Sequence, residues 1–270
     1  MDKISNFVEL KKSSKIWAIG SIHSNLNSFN SIKKFIINNF NYDDKLIFLG
    51  NVIGLGDFSK ETLDSVIDLR FNLMAKFKLK PESIVFLRGA QEEMFTKLLQ
   101  LQLAPNPIEI IEWMFDHGVN KTLNSYGYSE IEAKNIAASG TINISKWTAT
   151  LNKTLQLSHG HTQYFLNLKH AAYSQTKKIL FVNRGVDITR PLSAQNDCFW
   201  WGFQNFSKIQ EPYKTFLRIV RGYESEHLNQ IEISSENVVC TLFKQPLTNN
   251  RVMCGIFGEN GEIFDLFENN

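Results

Sequence analysis

The sequence predicts an α/β fold in which short buried strands alternate with amphipathic helices, interrupted by a helical insertion. Two observations carry this. The first third repeats an apolar run of about four to six residues ending in glycine, followed each time by a stretch with apolar residues at helical spacing. Residues 104 to 170 then lose the strand signals, and buried-strand patterns return from 177 onwards.

The first unit is KIWAIG (15–20) followed by NLNSFNSIKKFIINNF, where Leu26, Phe29, Ile32, Ile36 and Ile37 recur with helical period. KLIFLG (45–50) repeats the strand, and 60–77 repeats the helix through Leu63, Val66, Ile67, Leu69 and Leu73. SIVFLRG (83–89) with the helix 92–103 makes a third unit. Loops at the carboxyl ends of such strands converge where α/β folds bind ligands. Pro105 and Pro107 open the helical segment, which reads as a cap of about 104–170 inserted in a single domain of 1–270. KKILFVNRGV (177–186) and TFLRIVRGYE (215–224) are further strands. ENVVCTLF (236–243) is another, and 251–267 reads as a closing β-hairpin.

Composition narrows the function classes. The 270 residues are 43% hydrophobic, enough for a generous core. Lys plus Arg total 29 against 27 for Asp plus Glu, and no basic block is interleaved with aromatics, so charge does not imply nucleic acid. Cys198, Cys240 and Cys254 form no CxxC spacing and imply neither a disulfide framework nor a zinc clip, which fits a reducing cytoplasm. No stretch reaches the roughly 18 uncharged apolar residues a membrane helix needs, and the first 15 residues contain no apolar signal segment.

The strand ends read GSIHS, GNVIGLG, RGAQE, FVNRG and GYE, in that order. This order resembles the calcineurin-like metallophosphoesterases, in particular the bacterial branch of the phosphoprotein phosphatases that includes symmetrical diadenosine tetraphosphatases. In that family the corresponding ends read G-D-x-H-G, G-D-x-x-D-R-G, R-G-N-H-E, F-V-H-A-G and G-H-T. WMFDHGVNKTLNSYG (113–127) and GVDITRPLSAQNDCFWWGFQNF (185–206) are similar to further landmarks of the same branch. The resemblance spans about 15–265 and implies a four-layered α/β/β/α sandwich with a helical cap.

It also implies a two-metal centre that activates water and neutralises phosphoryl oxygens. Here the ligand positions carry Ser21, His23, Asn51, Ala90, Asn183 and Tyr223, so only His23 keeps its family identity and neither carboxylate remains. The leaving-group acid position is Gln91, the position of its orienting aspartate is Gly54, and the phosphate-clamping arginine position is Leu55. Two dications would find little negative charge to offset their desolvation. The expected protein is therefore a cytoplasmic pseudophosphatase with a binding or regulatory role and no cofactor. The alternative is a divergent phosphoesterase acting on a phosphoprotein or dinucleoside polyphosphate, with Mn or another divalent metal held by His23, Asn51 and Asn183.

Several residues carry a sharp and a plain reading together. His23 is either the ligand of a reduced site or a polar turn residue. Arg88, Arg184 and Arg221 stand at or beside strand ends and can converge on a phosphorylated or nucleotide ligand, or be solvated with carboxylate partners of their own. A docked protein partner is the other candidate occupant of the surface. HGHT (159–162) with His170 lies before the fourth strand, out of order for the missing fifth motif, and reads as cap structure. Asp57 reads as a cap for the helix at Ser59 and Lys60. Glu92 reads as a structural residue at a helix N-terminus. Trp113, Trp147, Trp200 and Trp201 read as core between cap and sheet, or as walls of a groove. Tyr223 is expected to fill part of the vacated site.

Overall fold

A computed structural model describes residues 6–195, 197–202, 209–223, 238–243 and 251–268. The ends of the strands expected at 215–224 and 236–243, and the last residues of the landmark stretch 185–206, lie outside them.

The chain runs β1 (Phe7–Leu10), β2 (Ile16–Ile19), α1 (Leu26–Asn39), β3 (Lys45–Phe48), α2 (Ser59–Phe77), β4 (Ile84–Phe86) and α3 (Ala90–Leu98). The helical segment follows as α4 (Pro107–Asp116), α5 (Val119–Ser125), α6 (Glu130–Ala137), α7 (Thr141–Leu157) and α8 (His161–Leu166). Then come β5 (Ala171–Ser174), β6 (Ile179–Val182), α9 (Cys198–Trp201), β7 (Arg218–Arg221), β8 (Val239–Thr241), β9 (Met253–Phe257) and β10 (Ile263–Glu268).

Among the described residues the strands form two five-stranded sheets, ordered β10-β9-β2-β3-β4 and β1-β5-β6-β7-β8. β2, β3 and β4 pair in parallel, while β9 runs antiparallel to both β2 and β10. In the second sheet β6, β7 and β8 are parallel, and β5 reverses against β6.

The two-residue period of the strands sorts side chains into three cores. From the first sheet, Trp17, Ile19, Leu46, Phe48, Ile84 and Phe86 face the helices, whereas Ile16, Ala18, Ile47, Leu49, Val85 and Leu87 face the second sheet. Phe181 and Val220 meet them from the other side. Leu180, Val182 and Ile219 point outward to Phe199, Trp200, Tyr213 and Phe216. The layers are thus helix, sheet, sheet, and an outer layer that among the described residues holds α9 and loops.

α1 illustrates why these segments are helical. Asn25 accepts the backbone N–H of Ser28 at 3.1 Å as N-cap, and Phe29, Ile32 and Ile36 bury one stripe. Each such fully buried side chain contributes roughly 1.5–3 kcal/mol. The helical segment is packed into the same core: Ile111, Leu123, Ala133, Trp147, Leu151 and Tyr164 join the residues of α1–α3.

Candidate functional site

The strand ends do converge. Ser21 N–H donates to Gly222 O at 2.8 Å, and the N–H groups of Ile22 and His23 both reach Asn51 O, at 3.0 and 2.8 Å. Gly222 and Tyr223 donate to Asn183 O at 2.8 and 3.1 Å, and Asn183 Nδ2 donates to Leu49 O at 2.6 Å. The loops after β2, β3, β6 and β7 are therefore cross-linked through backbone, so their positions are set by the sheets.

Two of the positions that the resemblance assigns to metal ligands, Ser21 and Asn51, bond to each other through their side chains. Asn51 sits in the left-handed region at φ 53°. Its Nδ2 donates to Ser21 Oγ at 3.2 Å and its Oδ1 accepts the Gln91 N–H at 3.1 Å. Both ends of the amide are engaged within the protein. Ala90, the first residue of α3, offers no donor or acceptor side chain. Gly54, at φ 88°, lies directly under the Gln91 amide, where a Cβ would collide with it. The Gln91 Nε2 donates instead to His117 O at 2.9 Å. Gln91 and Gly54 are thus a complementary pair, the glutamine amide occupying the space where a side chain at position 54 would stand.

Glu92 organises this region. Its carboxylate is fully buried and accepts N–H bonds from Asn51 and Val52 at 2.8 Å each, Gly89 at 3.0 Å and Ile53 at 3.5 Å, with Tyr164 OH at 3.1 Å. Burial pushes its pKa up, against the pull of these backbone donors. The sequence reading of Glu92 as a helix-terminus residue covers only the Gly89 bond; the larger role is to hold the loop after β3 on α3.

His23 is 4% exposed, and neither ring nitrogen has a hydrogen-bond partner among the described residues. Its ring stands edge-on to Tyr223 at 5.1 Å and to Phe243 at 6.0 Å. Desolvation holds its pKa down at about 3, so the imidazole is neutral at physiological pH. Tyr223 therefore packs beside His23, the residue whose identity matches the family's motif. Leu55 is 48% exposed and stands at the rim.

Between them lies a cleft of about 360 Å³ whose walls include His23, Leu55, Asp57, Phe58, Tyr223 and Phe243. Its acidic wall residue, Asp57, is already paired with Lys121 at 2.7 Å. That pairing corrects the expected capping role: α2 begins at Ser59 with no side-chain cap bond. Ser59 Oγ instead meets Ser24 Oγ at 2.6 Å and Thr122 Oγ1 at 3.0 Å.

The arginines do not share that cleft. Arg88 is bound by Glu93 at 2.7 Å and lies over the Trp200 ring. Arg221 is buried and donates from Nε to Thr241 Oγ1 at 2.7 Å. Arg184 lies over the Tyr223 ring, 5.6 Å from its centroid, and so comes nearest to the cleft of the three. In the helical segment, His161 is fully buried between Asp64 Oδ1 at 2.9 Å and Tyr126 OH at 2.6 Å, a structural chain. Trp147 and Trp200 are core, whereas Trp113 is half-exposed and packs edge-on against Trp201.

Among the described residues no three His, Cys, Asp or Glu side chains come together as a metal-holding group. The donors present are the Asn51 amide, bonded at both ends, the Asn183 amide, whose Oδ1 is buried without a partner among the described residues, a hydroxyl, a phenol and one imidazole walled by aromatics. These do not fit a pair of divalent ions, which require anionic oxygen ligands.

The architecture is that of the calcineurin-like phosphoesterases. A solved structure of a candidate diadenosine tetraphosphatase superimposes with a TM-score of 0.54 at 12% identity, covering 98% of this chain and 99% of the other. A protein serine/threonine phosphatase from Saccharomyces cerevisiae gives 0.50 at 15% identity, covering 98% and 83%. A cold-active protein tyrosine phosphatase gives 0.52 at 11% identity, covering 97% and 80%. At these identities the likeness establishes the fold. No family model and no curated protein sequence matches the chain.

Proposed function

We propose that this chain is a non-catalytic binding protein built on the phosphoesterase fold, a pseudophosphatase whose former metal centre has become a neutral cleft. The observation that carries the reading is the Asn51 amide. It stands where the family has its bridging carboxylate, and it is bonded at both ends, to Ser21 and to the Gln91 N–H. A metal-bridging role would require that network to be broken and two positive ions to be held without an anion.

The cleft offers an uncharged imidazole among Phe58, Tyr223 and Phe243, with Leu55 and Phe58 exposed at its mouth. Such walls suit an apolar or aromatic group, whether a nucleobase or a side chain of a docked partner, that hydrogen-bonds to His23. Arg184 beside Tyr223 is the candidate contact for an attached phosphate, and Arg88 the weaker one because Glu93 already holds it. Two of the three cysteines are buried and all three are free, which supports a reducing cytoplasm as the setting. No helix among the described residues is long and apolar enough to cross a membrane.

The test is metal analysis of protein purified in Mn, with assays on an aryl phosphate and on diadenosine tetraphosphate. Sub-stoichiometric metal and no turnover are expected. Stoichiometric metal, with turnover abolished by His23→Ala, would overturn the reading. Thermal-shift titration of nucleosides against their phosphates then separates recognition of the base from recognition of the anion.

A further inference from the structure

A second cavity, of about 470 Å³, lies on the helical face between α2, α7 and α8, apart from the cleft at His23. It is lined by Arg70, Phe71, Phe86, Gln156, His159 and Gln163, among others, and among the described residues no acidic side chain lines it. Gly160, at φ 79°, brings the α7–α8 turn onto α2, with room for no more than contact at 3.0 Å between a Cβ there and Ile67.

Arg70 is the unusual feature. It is placed one turn from Ile67 and from Met74, on the stripe by which α2 faces the core, where a charge is costly. It forms no ion pair or hydrogen bond among the described residues, and its Nε is buried without a partner. Its guanidinium carbon lies over the Phe86 ring, 5.6 Å from the centroid. Opposite it the His159 ring lies 5.4 Å from that of Phe71, and Gln156 and Gln163 present amides from exposed positions on α7 and α8.

We propose that this cavity is a binding site for a small aromatic carboxylate, with Arg70 as its anchor. A planar guanidinium fork matches a carboxylate through two parallel N–H bonds. One uncompensated positive charge is balanced by one negative charge, which favours a monoanion over a phosphate dianion. The Phe71 and Phe86 rings suit an aromatic body, and the cavity volume falls within the range of small-molecule sites. Burial without a partner also lowers the Arg70 pKa, and a bound anion reverses that cost.

Calorimetric and thermal-shift titrations of the full chain with benzoate, phenylacetate, phenyl phosphate and neutral benzamide test the assignment. The two carboxylates should bind saturably and raise Tm, with benzamide and phenyl phosphate clearly weaker. Arg70→Gln should weaken the carboxylates by about tenfold or more. Arg70→Lys, which keeps charge on the stripe without the fork, and His159→Ala at an exposed position, should each weaken them less while folding as the parent does. No saturable carboxylate binding, equal affinity in folded Arg70→Gln or Arg70→Lys, or a preference for the amide or the phosphate would each overturn the proposal.

Discussion

Removing the titratable ring at position 23 should flatten the acid limb of the stability profile. His23 is 4% exposed, has no hydrogen-bond partner among the described residues, and holds its pKa at about 3 against an ordinary 6.5. Below pH 6.5 the unfolded chain takes up a proton at this ring that the folded chain refuses until about pH 3. Stability contributed by the neutral ring is therefore complete above 6.5 and is lost as pH falls. The full difference corresponds to about 5 kcal/mol at 1.36 kcal/mol per pKa unit, and about 2 kcal/mol of it falls between pH 7 and pH 5. His23→Phe keeps an aromatic ring against Tyr223 and Phe243 and cannot protonate. Urea unfolding of both proteins at pH 7 and pH 5 should show the wild type losing about 2 kcal/mol more than the variant over that interval. Equal losses would refute the reasoning, because they would mean that the folded ring accepts a proton as readily as the unfolded one.

Glu92→Ala removes the acceptor from the N–H groups of Asn51, Val52, Ile53 and Gly89, at about 1–3 kcal/mol for each donor left unsatisfied. A loss of at least about 4 kcal/mol is expected in urea unfolding, and a loss below about 1 kcal/mol would show that the carboxylate is dispensable. Ser21→Asp combined with Asn51→Asp places two carboxylates where a 3.2 Å hydrogen bond now stands, so the double variant should unfold at lower temperature in EDTA and gain a Mn-dependent rise in Tm that the wild type lacks. No Mn response in a folded double variant would mean that the remaining positions cannot serve as ligands. Gly54→Ala forces a Cβ toward the Gln91 amide at φ 88° and should cost about 2 kcal/mol or more, against an unchanged Tm if Gln91 can simply swing away.

Most of the fold is legible in the sequence because its strands are buried on both faces. Ile16 to Ile19, Lys45 to Phe48 and Ile84 to Phe86 are unbroken apolar runs apart from Lys45, and each leads into glycine-bearing loops or a helix. β1 and β5 escaped that reading: FVEL and AAYS are short and mix in polar residues, and β1 pairs with β5, more than 160 residues away in sequence. Helix starts were less certain than helix bodies, and Asp57 shows the reason. A carboxylate two residues before Ser59 looks like a cap by spacing, yet Lys121 on α5, 64 residues later, competes for it and wins.

The candidate site was legible in the identity of its positions and opaque in their interactions. That Ser21, Asn51, Gln91 and Asn183 are neutral follows from reading the strand ends in order. That Asn51 joins Ser21 to α3, or that Glu92 gathers the loop 41 residues before it, depends on distances no spacing rule supplies. The faint signal was a glutamate three residues after Gly89, at a helix start. Once these contacts are known, the replacements form a coupled set. Carboxylates kept at positions 21 and 51 without metal would repel one another, whereas a hydroxyl and an amide there hydrogen-bond. A glutamine at position 91 needs the room that a glycine at position 54 leaves, and a tyrosine at position 223 closes over the imidazole of His23. The loops are held together by these hydrogen bonds and ring contacts. A cleft whose acidic wall residue, Asp57, is paired with Lys121 remains suited to binding a neutral group, and among the described residues no cluster of His, Cys, Asp or Glu side chains comes together there to hold a metal ion.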